Sequence, residues 1–168
     1  MGSITGSELL AKSLKAQGMD TLFYLMGGPM LETESACIKL GVRAIDSRHE
    51  QGAAMMAHAY SRLTRRPGVC MASSGPGTIN MATGVANAFV DAAPLVAVGG
   101  TSPRVYFGMD AFQEVAQPLL YKPSTQPASP ILDAPRIPDV VGPHVRQATS
   151  TRPRPLCPSL PAHVLAAR

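Results

Sequence analysis

Three short stretches of this sequence carry residues fit for chemistry. Arg48-His49-Glu50-Gln51-Gly52 sets one carboxylate among polar neighbours, while Met26-Gly27-Gly28-Pro29 and Ser74-Gly75-Pro76-Gly77-Thr78-Ile79-Asn80 are glycine loops. A carboxylate such as Glu50 can exchange a proton with a bound substrate or cofactor. In the first turn of a helix it can equally be a partner for the helix dipole, worth roughly 0.3–1 kcal/mol. A glycine loop that opens a helix can cradle an anion with its N–H groups, or simply turn the chain. The 74–80 loop is not a P-loop, because no Gly-Lys-Ser/Thr follows it. Asn80 also stands where a dinucleotide fingerprint would carry its third glycine.

Other chemistries find no footing. The four histidines and the scattered Cys37, Cys70 and Cys157 have no metal-ligand spacing, so no metal site is expected. His49 reads as a hydrogen-bonded loop residue and His58 as a mid-helix residue facing solvent. No Gly-x-Ser-x-Gly elbow occurs, so serine hydrolysis has no support.

The three stretches fall at the ends of strands. Thr5-Gly6-Ser7-Glu8 is a capping-box pattern, and Leu9, Leu10 and Leu14 follow on one helical face before Gly18. Strands are predicted at 21–25, 42–45, 69–72 and 94–98, the last closed by Gly99-Gly100, with helices at 31–40, 50–63 and 78–89 between them. Parallel strands need such crossovers. The alternation predicts an α/β fold, an open parallel sheet with helices on both faces, whose ligands gather at the carboxyl ends of the strands.

Composition divides the chain. Of 168 residues, 45% are hydrophobic and 15% charged, enough for one ordinary domain with a real core. Residues 1–117 carry nine basic and nine acidic side chains, whereas 118–168 carry six and two, so the +4 excess lies wholly in the second part. That part also holds 11 of the 16 prolines. The neutral first part has no basic stripe, which sets nucleic acid aside. No run approaches ~18 consecutive apolar residues, so no membrane span is expected. Glu8 and Lys12 interrupt the first apolar stretch, so no signal peptide is expected either. An odd number of separated cysteines suits reduced thiols and a cytoplasmic protein. The helices carrying Met55, Met56, Met81 and Val85 hold few charges, which predicts uncovered apolar faces and self-association, most simply as a dimer.

Six motifs occur together and in one order. They are Arg48–Ala54, Arg66-Pro67-Gly68-Val69-Cys70, Ser74–Asn80, Asn87-Ala88, Pro94–Gly100 and Ala111-Phe112-Gln113-Glu114. In this set the chain resembles the N-terminal, pyrimidine-binding domain of thiamine-diphosphate-dependent enzymes. The group it most resembles is acetolactate synthase and its relatives, including oxalyl-CoA decarboxylase and 2-hydroxyacyl-CoA lyase. The likeness is strong over 4–117 and weaker to the end, where Ala134–Arg168 is similar to that domain's last helix and strand.

The resemblance implies a role for Glu50 as the catalytic residue. In the family a glutamate bonds N1′ of the aminopyrimidine and so promotes loss of the C2 proton, the hard chemistry belonging to the cofactor. Sharing a proton with N1′ favours a carboxyl withdrawn from water. The resemblance further implies cofactor contacts at Gly27, Gly28, Pro76, Thr78 and Asn80, and a substrate-side role for Phe112 and Gln113. Each of these has a plainer reading as turn or packing geometry. Lys122 lies near a lysine found in some members.

Departures accompany the match. The family's diphosphate-and-magnesium motif, Gly-Asp-Gly followed by an asparagine, is absent. The resemblance therefore implies half a site, with Mg²⁺ held by a separate diphosphate-binding domain or subunit, or by a second copy of a longer chain. The substrate class that the resemblance implies is a 2-oxo acid such as pyruvate, or an acyl-CoA. A truncated, non-catalytic interaction module and a flavodoxin-like nucleotide-binding module are the rival readings. Met26 replaces a common proline, and Ser159 a usual aspartate. Pro143 falls inside the helix expected at 137–149, at a cost of roughly 3 kcal/mol. Pro158 argues against a central strand near the end, and 118–134 reads as loop.

Overall fold

Thr5 and Glu8 close the capping box that their spacing predicts. The Thr5 hydroxyl accepts from the Glu8 amide at 3.2 Å and Glu8 Oε2 accepts from the Thr5 amide at 3.0 Å. Two otherwise unpaired N-terminal donors are thereby satisfied. In this computed structural model, which describes residues 4–126, 130–150 and 152–168, helix α1 then runs Gly6–Ala16. Strand β1 (Thr21–Leu25), helix α2 (Leu31–Lys39), strand β2 (Arg43–Asp46) and helix α3 (Glu50–Thr64) follow. Next come strand β3 (Gly68–Ala72), two short helices, α4 (Pro76–Asn80) and α5 (Ala82–Val90), and strand β4 (Leu95–Thr101). The last part gives α6 (Gln117–Tyr121), α7 (Ile137–Ala148), β5 (Ser159–Pro161) and α8 (Ala162–Ala166).

All five strands are parallel, in the order β2-β1-β3-β4-β5. Side chains alternate through the sheet as a two-residue period demands. Val69, Met71, Val96 and Val98 meet α1, α2, α7 and α8 on one face, while Cys70, Ala72, Leu95 and Ala97 meet α3 and α5 on the other. The expected α/β sheet with helices on both faces is the observed architecture.

Four local expectations are corrected. Gly99 and Gly100 do not end β4 but lie within it. A Cβ at Gly99 would come within 2.5 Å of the Thr78 side chain, so the strand needs glycine there to pass under α4. His58 does not face solvent: it is buried, 3.3 Å from the Asn87 amide and 3.1 Å from Asp91 Oδ2. Met81 and Val85 are fully buried, and Met55 and Met56 half-buried, because α3 and α5 cover one another. Gly84 permits that close approach, a Cβ there lying only 2.5 Å from Ala54 Cβ. The most exposed large apolar side chains lie at the far ends of these two helices, at Leu63 and Val90, and after β4, at Val105, Met109, Phe112 and Leu119, each at least 68% exposed.

The tail is the fourth correction: 118–134 is not all loop, because α6 takes in 118–121. Helix α7 forms despite Pro143, with Ile137, Val141, Val145 and Ala148 as a buried stripe at helical spacing. Pro143 and Asp139, whose carbonyl loses its helical partner, are both exposed, which leaves the freed acceptor open to solvent rather than buried. Pro158 accepts from the Gly99 amide at 3.2 Å yet has no N–H to return. Pairing with β4 is accordingly split into a bridge at Leu156 and the three-residue β5, which lies at the edge where prolines are tolerated. Ile131 covers that edge in part, donating to the Ser159 carbonyl at 3.1 Å. Pro143→Ala should restore a helical hydrogen bond without losing buried area. A stability gain of about 1–2 kcal/mol is expected in urea denaturation, below the full helix-propensity difference because the chain gains freedom when unfolded. No gain would mean that α7 needs proline at this position. Among the described residues no helix is long and apolar enough to cross a membrane.

Candidate functional site

Glu50 owes its place to the bend after β2. The Ser47 amide donates to the Tyr24 carbonyl at 2.8 Å, tying the chain to β1 as it turns. His49 then caps α3, its Nδ1 accepting from the Gln51 amide at 3.1 Å. Glu50 is the first residue of the 15-residue helix that follows, where the dipole favours an anion. Its carboxylate is half-buried rather than withdrawn from water. Oε2 accepts from Asn80 Nδ2 at 3.0 Å, and Oε1 lies over Gly77, 3.1 Å from where a Cβ would stand. The fully exposed pair Arg48–Asp46 adds little to this arrangement.

The other two glycine loops converge on the same edge. A Cβ at Gly27 or Gly28 would lie 3.2 or 3.4 Å from Ser73 Oγ, so the first loop lies close against the second. Gly28 has φ +48 and Gly75 φ +57, conformations that disfavour any residue with a Cβ. Pro76 opens α4 at the exposed surface. Thr78 is wholly buried, its hydroxyl donating to the Ser73 carbonyl at 2.7 Å and its carbonyl accepting from the Tyr121 hydroxyl. Its side chain staples the loop. Asn80 reaches Glu50, so any bond it makes to a ligand competes with that contact.

Beside these loops opens a cleft of about 530 Å³, walled by Gly28, Pro29, Ser74, Tyr106, Phe112 and Gln113 among others. Phe112 is 88% exposed and its carbonyl accepts from the Ser102 hydroxyl at 3.1 Å. The Gln113 carbonyl occupies the space a Cβ on Gly75 would need, at 2.2 Å. Gln113 therefore presses directly on the glycine loop that neighbours Glu50, while Phe112 is tied to Ser102 at the end of β4. Lys122 is exposed and lines no part of this cleft. Ser73, Ser102 and Glu114 also shape the site and were not singled out from the sequence; only Glu114 carried a signal, as the last residue of the Ala111–Glu114 motif. The cysteines take no part. Burial pushes the Cys37 thiol up to about 11 and Cys157 up to about 12, and raises Cys70 as well, so all three stay protonated and inert. Among the described residues no group of three or more His, Cys, Asp or Glu could hold a metal ion.

Residues 4–120 match the family described as thiamine pyrophosphate enzyme, N-terminal TPP binding domain. The chain belongs to this family. Thiamine pyrophosphate, the same molecule as thiamine diphosphate, is thus the cofactor its membership implies. Among similar proteins, acetolactate synthase 3, chloroplastic, of Brassica napus is 36% identical over 160 residues, 95% of this chain and 24% of its own length. The acetolactate synthase isozyme 2 large subunit of Escherichia coli is 36% identical over 161 residues, 96% of this chain and 29% of its own. A probable acetolactate synthase large subunit of Methanocaldococcus jannaschii is 36% identical over 159 residues, covering 95% and 27%. The chain therefore spans about a quarter of the length of these relatives, and the matches to them reach into the proline-rich tail beyond the family match at 4–120.

Proposed function

We propose that this chain supplies the cofactor-activating half of a thiamine-diphosphate-dependent decarboxylase or carboligase, acetolactate synthase-like in its chemistry. The pose of Glu50 carries this reading. It stands at the carboxyl edge of the sheet, on a helix N-terminus, with one oxygen committed to Asn80 and the other free above Gly77. At Gly27, Gly28 and Gly77 a Cβ would crowd Ser73 or Glu50 Oε1, so glycine lets both loops and the carboxylate close up at the edge where a flat heteroaromatic ring would meet them. The donor set suits the aminopyrimidine: a carboxyl group for N1′ and loop backbone for the exocyclic nitrogen.

Bound here, the cofactor would supply a carbanion at C2 as nucleophile and its thiazolium ring as electron sink. Glu50 Oε1 holds and returns the proton at N1′. Asn80 can only donate to Oε2, and so leaves Oε1 as the oxygen that takes part. Half-exposure of Glu50 suits a site whose other wall comes from a separate diphosphate-binding domain, carrying Mg²⁺, in a partner or in another subunit. Substrate, a 2-oxo acid such as pyruvate, would enter along the cleft beside Phe112 and Gln113; an oxalyl- or 2-hydroxyacyl-CoA thioester is the alternative.

Such a half-site should hold the cofactor poorly. Diphosphate and Mg²⁺ carry most of the charge, and magnesium sites are built from carboxylates and substrate phosphates. Calorimetry on the chain alone should give weak or no binding of thiamine diphosphate and no response to Mg²⁺. Tight, Mg²⁺-dependent binding would contradict the half-site.

A further inference from the structure

The segment after β4 is poorly held by apolar packing. Val105, Tyr106, Phe107, Met109 and Phe112 are between 45% and 88% exposed. Its backbone is nevertheless sharply folded. Gly108 has φ +79, and Asp110 (+52) and Gln113 (+60) adopt left-handed conformations that a Cβ disfavours. Something other than burial must hold it, and one side chain does. Glu114 Oε1 accepts from the Gly108 amide at 2.6 Å while Oε2 accepts from the Ala111 amide at 3.1 Å. Those two bonds hold the carboxyl group below the usual glutamate value.

We propose that Glu114 is a positioning residue, whose carboxylate clamps the 108–111 backbone and thereby presents Phe112 and Gln113 to substrate at the cleft wall. The proposal rests on the cofactor and substrate reading given above. Three contacts complete the clamp: the Ser102 hydroxyl on the Phe112 carbonyl, the Glu114 amide on the Ala111 carbonyl at 2.9 Å, and the Gln113 backbone against Gly75. Both oxygens are used, so glutamine, with one acceptor and one donor at its tip, cannot replace glutamate.

Amide hydrogen exchange in the chain is the first arm of the test. Exchange at Gly108 and Ala111 should quicken about tenfold in Glu114→Gln and further in Glu114→Ala, as loss of a charge-assisted bond implies. Core amides such as Met71 and Val98 should keep their rates, which separates clamp release from unfolding. The second arm uses the chain complemented by a diphosphate-binding domain. KM for a 2-oxo acid should rise about tenfold or more in both variants, while deuterium exchange at cofactor C2 stays at its unsubstituted rate. Unchanged exchange at Gly108 and Ala111 overturns the clamp. A loosened loop with unchanged KM, or loss of C2 exchange along with it, overturns the substrate-positioning role. Absence of C2 exchange in the unsubstituted assembly overturns the cofactor reading itself, and with it this proposal.

Discussion

Glu50→Gln is expected to slow deuterium exchange at C2 of bound thiamine diphosphate by on the order of 10²–10⁴, the usual contribution of a positioned acid–base group. The substitution isolates that role. Glutamine keeps the volume, and its carbonyl can still accept from Asn80, whose amide now lies 3.0 Å from Oε2. The fold should therefore survive, with a stability change under about 1 kcal/mol, as a half-exposed isosteric replacement implies. What is lost is a proton that moves between Oε1 and N1′. Exchange is measured by NMR after acid quench, in an assembly that contains the diphosphate-binding domain. Equal rates in both proteins would remove Glu50 from the mechanism and leave it the dipole partner that its helix position alone suggests.

Gly84→Val is expected to destabilise the chain by about 1–3 kcal/mol, the range for overpacking a close contact. The Cβ would meet Ala54 Cβ at 2.5 Å and the α3 backbone at Met55 N at 3.0 Å. A helix backbone cannot yield as the tip of a flexible side chain can, so α3 must move. Because Glu50 begins α3, the same change should disturb the site from a distance. Urea denaturation gives the stability term, with Ala86→Val on the exposed side of α5 as control. Indistinguishable midpoints for the two variants would mean that the helices do not pack as closely as described.

The legibility of this sequence follows from what each signal depends on. The first four strands and the helices between them rest on local patterns, such as the Thr5–Glu8 box and the glycine stops, and these formed nearly where expected. The faces of α3 and α5 were misread because a charge-poor helix reads alike whether water, a partner or a neighbouring helix covers it. Here Gly84 and Ala54 settle the matter within the chain. The tail was read in part. Pro158 spoke only against a central strand, and β5 is an edge strand; α7 forms where a helix was expected, with Pro143 at an exposed position. In the site, Glu50 was legible because a motif surrounds it. Its contact with Asn80, 30 residues on, depends on how two strand-end loops meet. Thr78 lies in the same motif as Asn80, yet its part as a staple shows only in its burial and its bond to Ser73. The Glu114 clamp escapes sequence reading because left-handed residues other than glycine, such as Asp110 and Gln113, leave no compositional trace.

Complementation in trans tests most directly whether this chain is the cofactor-activating half. A relative such as the Escherichia coli isozyme 2 large subunit, shortened by the stretch that matches this chain, would be given thiamine diphosphate and Mg²⁺ with and without the chain added. The expected result is C2 deuterium exchange well above the free-cofactor rate only when the chain is present, and lost again with Glu50→Gln. A mixture that binds the chain and the cofactor, yet exchanges C2 no faster than free thiamine diphosphate, would contradict it.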